Sequence, residues 1–420
     1  MDELDYAIQL MNNGNVDEAR DTLKRFVLDA TDEEKFIVSE LYYDWGFIED
    51  AVVLLKKLLD IYPQEGQLIT KLSEMYIDLE KDESAIDLLN GINEDDSYYL
   101  QSLLHLADLY QTQGLFEVSE QKLLEAKQLA PDEIVIDFAL GELLFSIGQY
   151  NRAIPFYEKV IVKEEEINNV SINERLAESH ALLGHYQTAL TYYEKIDNKD
   201  PDTLFKYGFT AFREGRNDIA INIWKQLIEK DPNYHTVYTE LATALKDEGL
   251  MEDAYSIIQQ GLMYDEFNKE LYFLAAQIAL SLQKQEESID FLKEAILLDS
   301  DYREAVLLLI RLYKEDGQYA NIIDLVHDIQ KMGASDPLYD WELARAFKEE
   351  EEFSKALNAY EEAYIPLSYD KDFLKEYGYF LVEEGMQREA INTLDQYIAL
   401  DPMDEETISF VERLKFSIND

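Results

Sequence analysis

The sequence predicts an all-α fold, an α-solenoid of about twelve helix hairpins closed by a C-terminal capping helix. Three observations predict it: a small residue returns about every 34 positions, a glycine usually precedes it by five positions, and both flanking segments are amphipathic. A fixed period of this length is the signature of stacked supersecondary units. Such a unit cannot bury its apolar face alone, so neighbouring units must share one core.

The small residue opens the second helix of each predicted hairpin. Nearly every step between successive positions is 34 residues, and the exceptions are the first step of 32 and the two steps beside Ala189, of 36 and 31. The series is Ala19, Ala51, Ala85, Ser119, Ala153, Ala189, Ala220, Ala254, Ser288, Ile322, Ala356 and Ala390.

A turn separates the two helices of each unit. Nine of the twelve turns carry glycine five residues before the small residue, which suits a link that needs positive φ. In five units a proline follows the small residue by twelve positions and ends the second helix. The first helix pairs a bulky residue with a small one, as in Leu106-Ala107 or Leu343-Ala344, so that two backbones can approach closely.

These residues in this order resemble the tetratricopeptide repeat (TPR). The resemblance covers about residues 1–402 in twelve units, and it implies a right-handed superhelix whose first helices line the inner, concave wall. Three units lack the turn glycine, among them the third, which has Glu80 instead. The tenth unit has Ile310 and Ile322 where small residues are usual.

The predicted domain organisation is one TPR array over residues 1–402 and a capping helix over 403–420. In the capping helix, Ile408, Val411 and Leu414 share one face, which we expect to cover the last hairpin. Extra residues near 163–170 interrupt the period. They predict either a longer, tolerated loop or a hinge with a change of superhelical pitch.

Composition excludes several classes of function. The net charge is -51 at pH 7, and a surface this acidic repels phosphate backbones and anionic lipids, so neither nucleic acid nor membrane binding is expected. Basic partners could bind the outer surface. The chain has no cysteine, and its first residues lack the features of a secretory signal, which together favour a cytoplasmic protein.

No catalytic or cofactor motif is present in the sequence. Glycine-rich phosphate loops, a nucleophile elbow and a zinc-protease helix are all missing. His180 stands at a packing position, and its spacing from His185 is poor for a metal. We therefore expect no enzyme activity, no metal and no cofactor.

The TPR resemblance implies that inward side chains lie three before, one after and four after the small residue of the first helix. Cations at or near such positions are Lys246, Arg311, Lys314, Arg345, Lys348 and Lys375, with Trp341 and Tyr379 among them. They predict a grip for an acidic, partly apolar peptide. The alternative is that they neutralise neighbouring carboxylates such as Glu342.

A second set of inward residues is aromatic: Phe205, Phe209 and Phe212. Such a cluster indicates either an interface with a partner or another copy, or side chains buried by the next turn. The asparagine of the chaperone-type carboxylate clamp would follow the small residue of the first helix, and no unit has it. A clamp of that type is therefore not expected.

The predicted function is a non-enzymatic scaffold or adaptor that binds a partner segment in the concave groove. The alternatives are a self-associating structural protein and an enzyme with a site in the groove. The acidic, cysteine-free and uninterrupted character of the chain also resembles the cytoplasmic TPR proteins of YpiA type in Gram-positive bacteria. That resemblance implies an adaptor in the cytoplasm.

Overall fold

A computed structural model describes residues 3–419, which form an all-α array of helix hairpins. The chain divides into two compact units, Met1–Asn198 and Lys199–Asp420. The outermost predicted bounds, residues 1 and 420, lie outside the described residues. Each unit holds six of the twelve predicted hairpins, so the predicted fold class, an all-α solenoid of TPR hairpins, is confirmed.

The first unit contains hairpins 1 to 6, each made of two consecutive helices. The helices and two short strands are α1 (Glu3–Asn12), α2 (Val16–Phe26), α3 (Asp32–Asp44), α4 (Ile48–Ile61), α5 (Gly66–Asp78), α6 (Asp82–Leu89), α7 (Tyr99–Thr112), α8 (Phe116–Leu129), α9 (Ile134–Ser146), α10 (Tyr150–Ile161), β1 (Glu166–Ile167), β2 (Val170–Ser171), α11 (Ile172–Leu182) and α12 (Tyr186–Tyr193).

The second unit contains hairpins 7 to 12 and a final single helix. Its helices are α13 (Pro201–Arg213), α14 (Asn217–Lys230), α15 (Thr236–Asp247), α16 (Met251–Leu262), α17 (Lys269–Ser281), α18 (Gln285–Leu298), α19 (Arg303–Glu315), α20 (Tyr319–Lys331), α21 (Pro337–Glu349), α22 (Phe353–Tyr364), α23 (Lys371–Glu383), α24 (Gln387–Leu400) and α25 (Glu405–Asn419).

The small residue that opens each second helix is buried in all twelve hairpins. Most hairpins also pack on the first helix of the next within their unit, and the buried residues form clusters that each span two or more hairpins. The period in the sequence therefore marks the line along which the two helices of a hairpin touch.

The final helix, α25, packs against α24, as the sequence predicts for a capping helix. Val411 is buried, and Ile408 and Leu414 are half-buried, whereas the acidic residues at its N-terminus are exposed. The extra residues in mid-chain form the antiparallel pair of β1 and β2. The hinge near residues 163–170 stays a prediction.

The turn residues of all twelve hairpins lie in the left-handed backbone region. Nine are the glycines that the sequence indicates, and the three exceptions are Glu80, Gln283 and Glu351, with φ of 56°, 60° and 57°. The turn geometry is thus kept even where its usual residue is replaced. For a residue with a Cβ this conformation costs roughly 1–2 kcal/mol.

Replacing Glu351 by glycine is expected to stabilise the chain by about 0.5–1 kcal/mol. Glycine removes the strain of the left-handed turn, and the greater freedom of the unfolded chain offsets part of the gain. Urea denaturation measures the change in the free energy of unfolding. The matched control is Glu350→Gly, which removes the same charge from a residue at φ -83° and should destabilise. Equal effects of the two substitutions would contradict the strain at Glu351.

Candidate functional site

A pocket of about 820 Å³ lies among hairpins 9, 10 and 11 in the second unit. Its walls come from α17, α19 and α21, the first helices of these three hairpins. The apolar lining consists of Phe273, Leu280, Leu307, Leu308, Ile310, Leu338 and Trp341. The polar lining consists of Gln277, Glu304, Arg311, Lys314 and Glu342.

The helical register explains which side chains meet in the pocket. Around the small position of α17, Ala276, the residues three before, one after and four after are Phe273, Gln277 and Leu280, and all three line it. The same positions of α19, and Trp341 of α21, line it too. Each of the three helices thus turns one face to the pocket, since residues three and four apart on a helix are neighbours.

Hairpin 10 differs from the others beside this pocket. Ile310 and Ile322 occupy its two small positions, and both are almost fully buried. The backbones of α19 and α20 are in less close contact than those of the other hairpins. Larger side chains at the contact keep helix axes apart. Ile310 therefore packs in the core and also lines the pocket.

Four of the six predicted groove cations form ion pairs with carboxylates from nearby helices. The pairs are Lys314 with Glu342 (2.9 Å), Arg345 with Glu376 (2.5 Å), Lys348 with Glu383 (2.6 Å) and Lys375 with Asp404 (2.7 Å). Such pairs are what the neutralisation alternative predicts. Arg311 and Lys246 differ, because no carboxylate within the described residues forms an ion pair with either at 4.0 Å or less.

Arg345 stands at the centre of a network between hairpins 11 and 12. Its Nε and Nη2 donate to both carboxylate oxygens of Glu376, and its Nη1 donates to Glu342 at 2.5 Å. Trp341 Nε1 and the Tyr360 hydroxyl also donate to Glu376 Oε1, at 3.0 and 2.8 Å. The guanidinium carbon lies 4.0 Å from the centre of the Trp341 ring system, in cation–π contact.

The network sets the charge of Glu376. Burial by itself would raise the pKa of this carboxyl, but the hydrogen bonds from Arg345, Tyr360 and Trp341 outweigh burial and hold its pKa below the usual value. Burial, followed by the nearby Glu376 carboxylate, raises the pKa of Tyr360. At neutral pH the pair is therefore an ionised glutamate and a neutral tyrosine, fixed in one arrangement.

The first unit contains the same contact with its charges reversed. Arg175 of α11 donates to Glu142 of α9 at 2.8 and 3.1 Å, and the Tyr157 hydroxyl donates to Glu142 at 2.6 Å. Glu142 follows the small residue of its helix, as Arg345 does, and Arg175 precedes its small residue by two, as Glu376 does. The junction between hairpins 5 and 6 thus has the opposite polarity to the junction between hairpins 11 and 12.

Two further predicted groove residues contact the capping helix. Lys375 binds Asp404, and the Tyr379 ring lies 5.2 Å from that of Phe410, while its hydroxyl is 3.2 Å from that of Thr407. The hydrogen bond from Lys375 is the first cause that lowers the pKa of Asp404. These two side chains hold the cap, and the open pocket lies farther toward the N-terminus.

The predicted aromatic residues of hairpin 7 have mixed surroundings. Phe205 stacks on Phe209 at 6.4 Å and also approaches Trp224, whose Nε1 donates to its carbonyl oxygen at 3.3 Å. Phe212 is half-buried against the same indole, 5.9 Å away. Phe209 is 40% exposed. Of the three, Phe209 offers the most surface to another molecule.

Several lining residues were not singled out from the sequence. Gln277 and Leu280 follow from the register rule, so their signal was present in the sequence. Leu338 stands in the first turn of α21, outside that rule, and reaches the pocket from the end of its helix. The rule for inward positions considers only the face of a helix near its small residue, so it does not predict Leu338, which lies at the N-terminus of α21.

Over residues 3–419, no three histidine or carboxylate side chains are grouped so as to hold a metal ion. In the same range, no helix has the length and apolar character needed to cross a membrane. His180 stacks on Tyr192 with ring centroids 5.6 Å apart, and burial is the first cause that lowers its pKa.

Known protein families match much of the chain. Residues 337–404 match YpiA-like, C-terminal tetratricopeptide repeats, and residues 111–165 match YpiA-like tetratricopeptide repeats. General tetratricopeptide repeats match residues 175–203, 202–234 and 269–302.

Two solved structures are similar at low TM-score. YrrB, described as a TPR protein with an unusual peptide-binding site, has a TM-score of 0.39 at 16% identity, over 44% of this chain and 96% of its own. Naa15/Naa10 bound to HypK-THB has a TM-score of 0.44 at 14% identity, over 92% and 66%.

A full-length relative settles the family. The TPR repeat-containing protein YpiA of Bacillus subtilis (strain 168) is 41% identical over 411 residues, which cover 97% of each chain. The twelve hairpins, their turns and this identity agree. The chain belongs to the YpiA-like family of tetratricopeptide-repeat proteins.

Proposed function

We propose that the chain is a non-enzymatic scaffold or adaptor that binds a segment of another protein in the pocket among hairpins 9, 10 and 11. The TPR family is typical of protein–protein interaction scaffolds. The observation that carries the proposal is a pocket with seven apolar side chains from the first helices of three successive hairpins. The cytoplasm is the proposed location, in keeping with the cysteine-free sequence.

The dimensions of the pocket suit a protein segment. Its volume of about 820 Å³ falls in the range of roughly 300–1,000 Å³ that is usual for ligand sites. A largely apolar wall with few polar groups favours one or two large apolar side chains as anchors. Either an extended segment or the apolar face of a helix can present such anchors.

The groove cations have different roles in this proposal. Arg345, Lys348 and Lys375 are held by carboxylates of hairpin 12 and of the cap, so they shape the wall that carries the pocket. Lys314 is exposed at the pocket and shares Glu342 with Arg345. Arg311 and Lys246 remain the cations open to an acidic partner.

Replacing Leu307 by aspartate is expected to reduce capture of the native partner at least about tenfold, because a carboxylate would stand on the apolar wall. Tagged full-length chain is expressed in its native cell, cross-linked and purified, and co-eluting proteins are quantified. The matched control is Leu400→Asp on α24, which places the same charge at an exposed leucine away from the pocket. Circular dichroism and thermal unfolding show that both variants fold.

The result that contradicts the proposal is also specific. If the same proteins co-elute in the same amounts with Leu307→Asp as with the native sequence, the pocket is not the binding site. A photo-cross-linking residue at position 307 gives a second readout. Adducts should form there and should be missing when the same residue stands at position 400.

Self-association is the second candidate function, and the exposure of Phe209 beside Phe205 supports it. The exposed Phe209 ring and the half-buried Phe205 ring on which it stacks form a small apolar patch. Multi-angle light scattering over a range of concentrations separates the two functions. A constant monomer mass is the expected result for an adaptor, and a mass that rises with concentration would favour self-association.

A further inference from the structure

We propose that the pocket selects a protein segment in one orientation, with a large apolar side chain in the pocket, a carboxylate toward Arg311 and a basic group toward Glu304. The proposal rests on the function proposed above and specifies its ligand. It depends on two charges of opposite sign at the pocket, Arg311 and Glu304, which form no ion pair within residues 3–419 and are therefore available to a ligand.

Arg311 is the first of these charges. It is exposed at the pocket, and within the part of the chain that the structure describes no carboxylate lies close enough for an ion pair. The neighbouring cations Lys314, Arg345 and Lys348 all have such partners. A guanidinium without an ion pair beside an apolar wall is a strong and directional hydrogen-bond donor to a ligand carboxylate, to which it can donate two parallel hydrogen bonds.

Glu304 is the second charge and lies on the same helix. It is exposed, it lines the pocket, and it forms no ion pair with a cation in residues 3–419. Arg311 follows it by seven positions on the helix, which is two helical turns or roughly 10 Å along the axis. Leu307 and Leu308 lie between them in sequence and also line the pocket.

The other charges at the pocket are already engaged. Glu342 accepts from Lys314 at 2.9 Å and from Arg345 at 2.5 Å, so it offers little to a ligand. A ligand therefore meets an apolar centre with one negative and one positive end. The apolar contact supplies most of the affinity, whereas charge complementarity supplies specificity and fixes the direction of the segment.

A displayed library of short random peptides provides the probe. Peptides are selected on the full-length chain and counter-selected on the Leu307→Asp variant. Among the peptides retained, we expect an acidic residue on one side of a large apolar residue and a basic residue on the other, in one order along the peptide. One such peptide is then made with a fluorescent label, and its affinity is measured by anisotropy.

Arg311→Gln is expected to weaken binding of this peptide about five- to tenfold, and Glu304→Gln about threefold. Neutralising the acid of the peptide should weaken binding to the native chain equally, and should have no further effect on the Arg311→Gln variant. The matched control is Arg388→Gln, which removes one exposed cation from α24 and should leave the affinity unchanged.

An exchange of the two charges tests direction. In the double variant Arg311→Glu with Glu304→Arg, the net charge is unchanged, and a peptide with acid and base interchanged should bind better than the original. If no peptide binds in a Leu307-dependent way, the proposed function itself fails. If peptides depend on Leu307 but ignore Arg311→Gln and the exchange, the function stands and the charge-directed recognition is wrong.

Discussion

Glu376→Ala is expected to lower the free energy of unfolding by about 3 kcal/mol. The substitution leaves the Arg345 guanidinium, Trp341 Nε1–H and the Tyr360 hydroxyl without their common acceptor. Removal of one partner from a largely buried ion pair costs several kcal/mol, because the remaining charge stays desolvated. Urea denaturation followed by circular dichroism and tryptophan fluorescence measures the loss.

Glu383→Ala is the matched control for Glu376. Glu383 stands on the same helix and also pairs with a cation, Lys348, at 2.6 Å, but its side chain is 58% exposed against 32% for Glu376. Exposed pairs contribute about 0–1 kcal/mol, so a small change is expected. Equal losses for the two alanine variants would contradict the importance of the buried network.

The reversed pair in the first unit provides a rescue for this prediction. Because Glu142 and Arg175 occupy the equivalent positions with opposite polarity, Arg345→Glu combined with Glu376→Arg should recover much of the stability that either substitution alone removes. A double variant no more stable than the worse single variant would show that the junction in hairpins 11 and 12 accepts one polarity only.

Gly208→Ala is expected to destabilise the second unit by about 2–3 kcal/mol. An added Cβ would lie 2.4 Å from Trp224 Nε1 and 2.6 Å from its Cδ1, far inside contact distance. The indole is fully buried, so it cannot swing away without opening the interface between α13 and α14. Overpacking of a close contact typically costs 1–3 kcal/mol, and here the hydrogen bond to the Phe205 carbonyl is disturbed as well.

A smaller partner should relieve the strain at this position. Trp224→Leu alone leaves a cavity, whereas Gly208→Ala combined with Trp224→Leu should cost clearly less than the sum of the two single changes. Ala107 faces the same way in hairpin 4, where the second helix carries Leu123 at the matching position, so the combination already occurs in this chain. Strict additivity would contradict a direct clash, and thermal unfolding of the four proteins provides the comparison.

The fold could be predicted from the sequence because each hairpin repeats the same local rules. Small residues mark the close contacts, and turn glycines mark positive φ. The turns at Glu80, Gln283 and Glu351 show why local composition is not enough: packing on both sides forces the same backbone on a residue that resists it. Their position in the period, and not their residue type, was the reliable signal.

The candidate site could be predicted only in outline. Register placed Leu307, Arg311 and Lys314 on one face, and the structure gathers them at one pocket. The register did not show which cations form ion pairs, since their carboxylate partners come from the next hairpin or the capping segment, about thirty residues away. Sequence spacing does predict one kind of ion pair. The residue directly after the small residue of one first helix pairs with the residue two before the small residue of the next first helix, as Arg345 pairs with Glu376.

The opposite polarity of the two Arg–Glu junctions bears on how twelve similar building blocks find their proper order. If hairpin 6 were to dock on hairpin 11, Arg175 would face Arg345, and if hairpin 12 were to dock on hairpin 5, Glu376 would face Glu142. Either error places two like charges next to each other in a partly buried contact between hairpins. The repulsion disfavours stacking of hairpins in the wrong order within a chain, and exchange of hairpins between chains. We therefore expect the polarity of each junction to favour packing of the correct neighbouring hairpin over the equivalent hairpin from the other unit.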